Sequence, residues 1–157
     1  MPTRSAGLLL HRRGPSGTEV LIGHMGGPFW ARRDAAAWSI PKGLAEEGEE
    51  PLQVARREFT EEMGSPPPEG TPVALGEFRQ RGGKVVVVFA QEGDFDATAI
   101  SSNEFEMEWP RGSGRTARFP EVDRAEWVAL DRARVALVAG QVPAIDALQA
   151  HLAAEGA

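Results

Sequence analysis

The spacing of hydrophobic positions divides the first part of the chain into short extended segments. Apolar runs at residues 5–12 and 19–25 are separated by a Gly-Pro-Ser-Gly turn, which predicts two strands joined by that turn. A loop rich in glycine, aromatic residues and arginine follows. Residues 38–41 then predict a short strand that ends at Pro41.

Two further predicted strands, at 73–80 and 84–90, flank the adjacent Gly82 and Gly83. Two glycines in succession favour the positive backbone angles of a tight hairpin. The four consecutive valines at 85–88 do not alternate with polar residues. This pattern is typical of a strand that is covered on both faces.

Strict alternation returns at residues 103–109, where apolar and acidic side chains take opposite faces of a predicted strand. The apolar face carries Phe105, Met107 and Trp109, and the polar face carries Glu104, Glu106 and Glu108. Beyond it the pattern predicts a loop at 110–119, a strand at 124–129 and helices at 131–139 and 143–154. Asp131 is the expected N-cap of the first of these helices, and Gly140 is its expected stop.

The order of these elements predicts an α/β fold, with helices on both sides of a mixed sheet. The chain shows no internal repeat or linker, so we expect one domain over residues 1–157. The absence of cysteine excludes disulfides and thiolate ligands, so a bound metal would need oxygen or histidine ligands. A net charge of -6 argues against general nucleic-acid binding, and no apolar run is long enough to span a membrane. We expect a cytoplasmic protein, monomeric or weakly dimeric.

Seven glutamates fall between residues 43 and 65, and the best-defined helix lies within this segment. Pro51 suits the first turn of a helix because its missing N–H would have no partner there, and Gly64 suits the stop. An apolar face follows from the helical spacing of Leu52, Ala55, Phe59 and Met63.

Glu58, Glu61 and Glu62 share another face of this helix because they are three and four residues apart. Carboxylates stacked in this way repel one another unless a cation lies among them, and divalent cations bind oxygen ligands. Arg57 lies beside them and can orient a carboxylate through a bidentate contact, and Glu49 can reach the same end. The alternative is a solvated acidic helix face.

A longer pattern contains these residues at fixed intervals: Gly43, Glu49, Arg57, Glu58, Phe59, Glu61, Glu62 and Gly64. It resembles the Nudix box, the signature of hydrolases that act on nucleoside diphosphates linked to another group. The one departure is Ser65, where the family usually has an aliphatic residue that packs rather than catalyses. The resemblance extends to the preceding Trp-Ser-Ile-Pro-Lys-Gly stretch, and it implies the family's α/β/α sandwich.

By this resemblance, Glu58, Glu61 and Glu62 hold Mg²⁺ or Mn²⁺ against a pyrophosphate while water attacks one phosphorus. The resemblance makes Arg57, Glu58 and Glu61 the expected catalytic residues, with Glu58 first as the base and Arg57 orienting the carboxylates. Several family members add a carboxylate from outside the box. Glu106 and Glu108 are therefore further candidate ligands, with an exposed strand face as the alternative.

Basic residues are expected to contact the phosphates. Lys42 immediately precedes the box, and Arg32 and Arg33 lie in the loop where Phe29 and Trp30 can stack on a base. Burial in the core is the alternative for the two aromatic side chains. The three histidines are scattered along the sequence, and we assign them no role.

The sequence leaves the substrate open. The proline that marks the family's ADP-ribose enzymes is absent from residues 77–84, and the tyrosine that marks its dinucleoside polyphosphate enzymes is missing from the whole chain. The Trp-Ser-Ile-Pro-Lys-Gly stretch is more similar to the dinucleoside polyphosphate and nucleoside triphosphate branches. We therefore expect a small nucleotide of one of these types as substrate. The alternatives are ADP-ribose, an RNA 5′ end, a Nudix-fold binding module or sensor without turnover, and an interaction protein with an acidic face.

Overall fold

A computed structural model describes residues 4–156 and contains nine strands and three α-helices in this part of the chain. The strands are β1 (Arg4–Gly14), β2 (Gly17–Met25), β3 (Trp38–Ser39), β4 (Lys42–Leu44), β5 (Val73–Arg79), β6 (Val85–Glu92), β7 (Glu104–Glu108), β8 (Thr116–Pro120) and β9 (Val122–Ala129). The helices are α1 (Pro51–Met63), α2 (Leu130–Ala136) and α3 (Val142–Glu155). The ends of the domain predicted over residues 1–157, residues 1–3 and 157, lie outside the described residues.

Seven of the strands form one mixed sheet. Its order is β3-β2-β1-β6-β5, with β4 paired to the start of β1 and β9 paired to β2. β1 and β6 run parallel, while the other pairs are antiparallel. β7 and β8 form a separate antiparallel hairpin. The sheet therefore brings β4, which contains Gly43 of the box, beside the first half of β1.

Helices cover both faces of this sheet, which confirms the predicted α/β/α sandwich. On one face the core includes Trp38, Val88, Leu137, Ile145 and Leu148, beneath α2 and α3. On the other face it includes Leu8, Leu10, Leu21, Phe59 and Met63, beneath α1. Val86 and Val88 pack on the first side and Val87 on the second, so the valine strand is covered on both faces, as predicted.

The acidic helix forms where the sequence predicts it. Gly64 follows α1 in the left-handed conformation, with φ of 85°, and its N–H donates to the carbonyl of Thr60. The segment 101–103 then supplies backbone donors to the carbonyls at the end of the helix, which need partners outside it. Asn103 donates to Glu61 at 2.9 Å and Ser101 donates to Met63 at 3.1 Å. The predicted apolar face needs one correction, because Val54 is buried while Leu52 is only half-buried.

Two predicted segments differ from the structure. The expected loop at 110–119 contains β8, which pairs with β7. The expected helix at 131–139 begins instead at Leu130, with Ala129 as N-cap and Asp131 inside the first turn, and it ends at Ala136. Beyond it the N–H of Val138 donates to the carbonyl of Trp38, so contact with β3 replaces further helical turns. Within residues 4–156, no helix has the length and apolar character needed to cross a membrane.

Candidate active site

Arg57 joins the loop before α1 to the helix itself. Its Nε and Nη2 atoms donate to the two carboxylate oxygens of Glu49 at 2.9 and 2.8 Å. Nη2 also donates to the carbonyl of Leu44 at 3.1 Å. The hydrogen bond with Glu49 raises the pKa of Arg57 and lowers the pKa of Glu49. The bidentate contact of Arg57 is therefore made to Glu49 and not to one of the helix carboxylates beside it, and it fixes the chain between β4 and α1.

The same guanidinium reaches two carboxylates on the helix. Its Nη1 atom donates to Glu58 at 3.0 Å and to Glu61 at 3.3 Å. One cation therefore holds carboxylates from the loop and from the helix, which offsets part of their mutual repulsion. Glu58 also lies against the backbone of Gly43 in β4, because a glycine there leaves space for the carboxylate.

Burial leaves two of the box carboxylates with raised pKa values. Desolvation is the largest cause of the raised pKa of Glu58, and the charge of Glu61 adds to it while Arg57 opposes it. Desolvation raises the pKa of Glu62 to about 8, against the attraction of Lys42. Lys42 therefore lies close enough to stabilise the Glu62 carboxylate. A cation bound beside such carboxylates would favour their charged form and lower their pKa values.

A carboxylate from outside the box lies near enough for its charge to act on the box carboxylates, and the sequence reasoning missed it. Glu121, between β8 and β9, contributes to the raised pKa of both Glu58 and Glu62. Its backbone is fixed on two sides, since its N–H donates to Asn103 and its carbonyl accepts from Gly26. No local pattern marks Glu121 in the sequence. Its position depends on contacts with two distant segments of the chain.

Glu106 and Glu108 make their hydrogen bonds within the β7–β8 hairpin. Glu106 accepts from the Thr116 hydroxyl at 3.1 Å. Glu108 accepts from the backbone N–H groups of Gly112 and Gly114 at 2.9 and 3.1 Å. Both side chains are exposed, which matches the alternative of an exposed strand face. Within residues 4–156 neither carboxylate forms a hydrogen bond with a box residue, and their role as ligands stays a prediction.

The aromatic loop, residues 26–37, lies beside this hairpin. Phe29 is 54% exposed, while Trp30 is half-buried against the core, with the two rings edge to face at 4.7 Å. The guanidinium of Arg33 lies 4.3 Å from the centre of the Phe29 ring, a cation–π contact. Arg32 is exposed. Phe29 is therefore the freer of the two rings to stack on a ligand.

His24 is buried beneath this loop, although no pattern around it in the sequence predicts a role for it. Its ring contacts the Asp123 carboxylate at one nitrogen and the Arg33 carbonyl at the other. Asp123 is separated from His24 by 99 residues, so no local motif could reveal the pair.

The carboxylates of this site fit a divalent cation in their chemistry. Glu58, Glu61 and Glu62 offer oxygen ligands, which hard cations prefer. Burial raises the pKa values of Glu58 and Glu62 and so disfavours their charged forms, which a bound cation would favour. In the part of the chain that the structure describes, no three His, Asp or Glu side chains are close enough together to hold a metal ion. Glu58 and Glu61 instead contact Arg57.

Comparison with known proteins agrees with this arrangement. Residues 1–148 match the family model of the NUDIX domain. A C. elegans Ap4A hydrolase in a binary complex is similar in fold, with a TM-score of 0.69, 20% identity and coverage of 96% of this chain and 98% of that chain. The NUDIX domain of Shewanella oneidensis NrtR, complexed with ADP ribose, gives a TM-score of 0.64, 18% identity and coverage of 97% and 89%. A MutT protein from Methanosarcina mazei Go1 gives a TM-score of 0.61 and 18% identity, with coverage of 96% of each chain. No curated protein matches the chain significantly.

Proposed function

The chain belongs to the NUDIX hydrolase family and is a pyrophosphohydrolase, and from that premise we propose that it cleaves the phosphate chain of a nucleoside triphosphate or a dinucleoside polyphosphate. One observation carries the proposal. Arg57 holds the half-buried Glu58 and Glu61 beside the buried Glu62, burial raises the pKa values of Glu58 and Glu62, and the charge of Glu121, from another part of the chain, raises both further. A site built in this way favours a divalent cation and the phosphate oxygens that such a cation binds.

Members of this family generally use divalent cations, and we propose Mg²⁺ or Mn²⁺ for this chain. Glu58, Glu61 and Glu62 would hold the cation, and Glu121 is the preferred additional ligand. The cation would neutralise the phosphate oxygens and lower the pKa of the attacking water.

The box residues divide the remaining tasks. Glu58 is proposed as the base, since its raised pKa suits a carboxylate that takes a proton from water. Arg57 orients Glu58 and Glu61 while it holds the loop through Glu49. The charge of Lys42 favours the charged form of Glu62 and opposes the effect of burial. Lys42 can then contact a phosphate oxygen from the same position.

The nucleoside end of the substrate is proposed to lie on the aromatic loop. The exposed ring of Phe29 and the half-buried Trp30 offer a stacking surface, while Arg32 and Arg33 supply positive charge. Phe105 of the hairpin packs on Gly27 of the loop, where a Cβ would come 2.8 Å from the ring. The hairpin thus forms a neighbouring wall of the loop.

The proposed substrate class is more specific than the similar structures alone can support. One similar fold is that of an Ap4A hydrolase and another was solved with ADP ribose. The absence of the ADP-ribose proline and the character of the Trp-Ser-Ile-Pro-Lys-Gly stretch support a nucleoside triphosphate or dinucleoside polyphosphate as the proposal, although the tyrosine of the dinucleoside polyphosphate enzymes is also absent. The rival, a binding module or sensor without turnover, is disfavoured because all the box carboxylates are present.

The test is a substrate screen. Nucleoside triphosphates, dinucleoside polyphosphates, ADP-ribose and a 5′-triphosphorylated RNA are incubated with the protein and Mg²⁺ or Mn²⁺. We expect the fastest turnover with one of the first two classes, and loss of that turnover in Glu58→Gln. Preference for ADP-ribose or RNA would refute the substrate assignment. Tight binding without any turnover would favour the sensor.

A further inference from the structure

His24 is a fully buried side chain that the proposed chemistry does not use. Its Nδ1 atom lies 2.9 Å from Oδ1 of Asp123, and its Nε2 atom lies 2.7 Å from the carbonyl oxygen of Arg33. Both partners offer oxygen acceptors, so each ring nitrogen faces an atom that can accept a hydrogen bond from it. The ring also packs edge-on against Trp38, with centroids 5.1 Å apart. These three contacts fix a single orientation of the imidazole.

The two hydrogen bonds join distant parts of the proposed site. Arg33 belongs to the aromatic loop, and Asp123 lies at the start of β9, two residues after Glu121. The neighbouring N–H of Gly26 donates to the carbonyl of Glu121 at 2.9 Å. The imidazole thus bridges the loop proposed to bind the nucleoside and the strand that follows the additional carboxylate.

The bond to Arg33 anchors the middle of the loop. At the base of the loop, the N–H of Met25 donates to the carbonyl of Ala37 at 3.0 Å. Farther along, the backbone bonds of Trp30 and Arg33 are local turns within the loop. The His24 bond instead ties the carbonyl of Arg33 to the main sheet, while the guanidinium of the same residue lies over Phe29. Fixing this carbonyl therefore also restrains the Arg33–Phe29 pair.

We propose that His24 is a positioning residue, which holds Arg33 and Phe29 in the orientation that receives the nucleoside end of the substrate. This inference rests on the proposed function, in which the aromatic loop contacts the nucleotide. His24 makes no hydrogen bond to a box carboxylate in the described structure. It therefore acts on nucleotide binding and leaves the chemical step unchanged.

The test compares His24→Gln and Asp123→Ala with a matched control, His151→Gln. Loss of a buried hydrogen bond to a charged partner is expected to raise KM about tenfold in His24→Gln. Its kcat should stay within about twofold of wild type, because the variant loses only binding energy that the ground state and the transition state share. Asp123→Ala should change KM in the same direction, and His151→Gln on α3 should change neither constant.

The two variants protect the test against misfolding. The Asp123 side chain is 29% exposed, so Asp123→Ala decides the question if His24→Gln does not fold. If His24→Gln folds and has the wild-type KM, the inference is overturned. If His24→Gln does not fold, a wild-type KM in Asp123→Ala overturns it. A fall in kcat at constant KM in either variant does so as well.

Calorimetry separates this inference from the proposed function. The probe is a nucleoside triphosphate whose bridging oxygens are replaced by methylene groups, added without metal. If wild type binds the probe yet hydrolyses no nucleotide, the proposed function fails, and the Kd of His24→Gln still tests the inference. An unchanged Kd overturns it, and a Kd about tenfold weaker supports it. A wild-type protein that neither binds the probe nor hydrolyses nucleotides overturns both.

Discussion

The carboxyl group of Glu58 lies so close to the backbone of Gly43 that a Cβ at residue 43 would come 2.0 Å from its carboxyl carbon. Real Cβ atoms essentially never approach another heavy atom within 3.0 Å. The β4 backbone cannot simply move away, because Gly43 is paired with Ala6 of β1. Residue 43 must therefore lack a side chain for Glu58 to occupy its present position.

Gly43→Ala is expected to displace the Glu58 carboxylate and to reduce kcat/KM by about 100-fold, since misplacing a catalytic group by an ångström can cost that much. The matched control is Gly156→Ala, where the nearest atom to an added Cβ is 3.6 Å away. The measurement is steady-state turnover of the best substrate with Mg²⁺. A Gly43→Ala enzyme with wild-type kcat/KM would show that the position of Glu58 does not matter.

Arg57→Lys tests whether the shape of the guanidinium matters as well as its charge. Lysine cannot make the bidentate contact with Glu49 while it also reaches Glu58, so we expect a loss of activity of about 10- to 100-fold. We also expect a melting temperature lower by a few degrees, roughly the effect of one kcal/mol. Arg56→Lys, at an exposed position of the same helix, is the control. Equal activity of the two variants would argue against the orienting role of Arg57.

Glu62 makes the stability of the metal-free protein depend on pH. Burial raises its folded-state pKa from 4.5 to about 8, so the folded chain favours the protonated carboxyl. The stability from this group is fully present below the unfolded pKa, and it is lost as the pH rises through the folded pKa. With chelator present, Glu62→Gln should therefore match wild type near pH 4.5 and exceed it at pH 9, by on the order of 5 kcal/mol.

Denaturant unfolding at the two pH values measures this difference. Added Mg²⁺ should stabilise wild type more than Glu62→Gln, because a cation bound only by the folded state adds to its stability. If Glu62→Gln is less stable than wild type at pH 9 without metal, burial does not disfavour the Glu62 charge in the way described.

Glu121 and the hairpin glutamates are the competing candidates for a metal ligand from outside the box. Glu121→Gln is expected to weaken Mg²⁺ binding by about tenfold, within the range seen for residues that support a metal site. Glu106→Gln and Glu108→Gln should leave it unchanged, because those carboxylates contact Thr116, Gly112 and Gly114. Calorimetry with MgCl₂ decides between them. If Mg²⁺ binding is weakened only in a hairpin variant, the metal ligand is the hairpin glutamate that the sequence predicts, and not Glu121.

Local patterns were sufficient where the physical cause is itself local. Pro51 and Gly64 mark the ends of α1, and the spacing of Glu58, Glu61 and Glu62 places them on that helix. β8 was missed because its strand character depends on pairing with β7, and the preceding glycine-rich segment is typical of a loop. The stop of α2 was misplaced because contact with β3, not Gly140, ends the helix.

The residues of the candidate site that the sequence does not predict are placed by contacts between distant segments. Glu121 reaches the box only because its backbone bonds to Asn103 and to Gly26. The pair of His24 and Asp123 likewise joins two strands that are adjacent in the sheet and far apart in sequence. A single sequence carries no sign of such pairs, whereas the box is a continuous stretch with its own spacing.

Hydrolysis in ¹⁸O-labelled water tests most directly whether the box residues cleave a phosphate chain. The preferred nucleotide is incubated with the wild-type protein and Mg²⁺ in labelled water, and the products are weighed by mass spectrometry, with Glu58→Gln as the control. We predict that the label appears on a phosphate of one product, at a rate that falls by at least about 100-fold in Glu58→Gln. Label found only in an alcohol or sugar product, or equal labelling by Glu58→Gln, would contradict attack on phosphorus at this site.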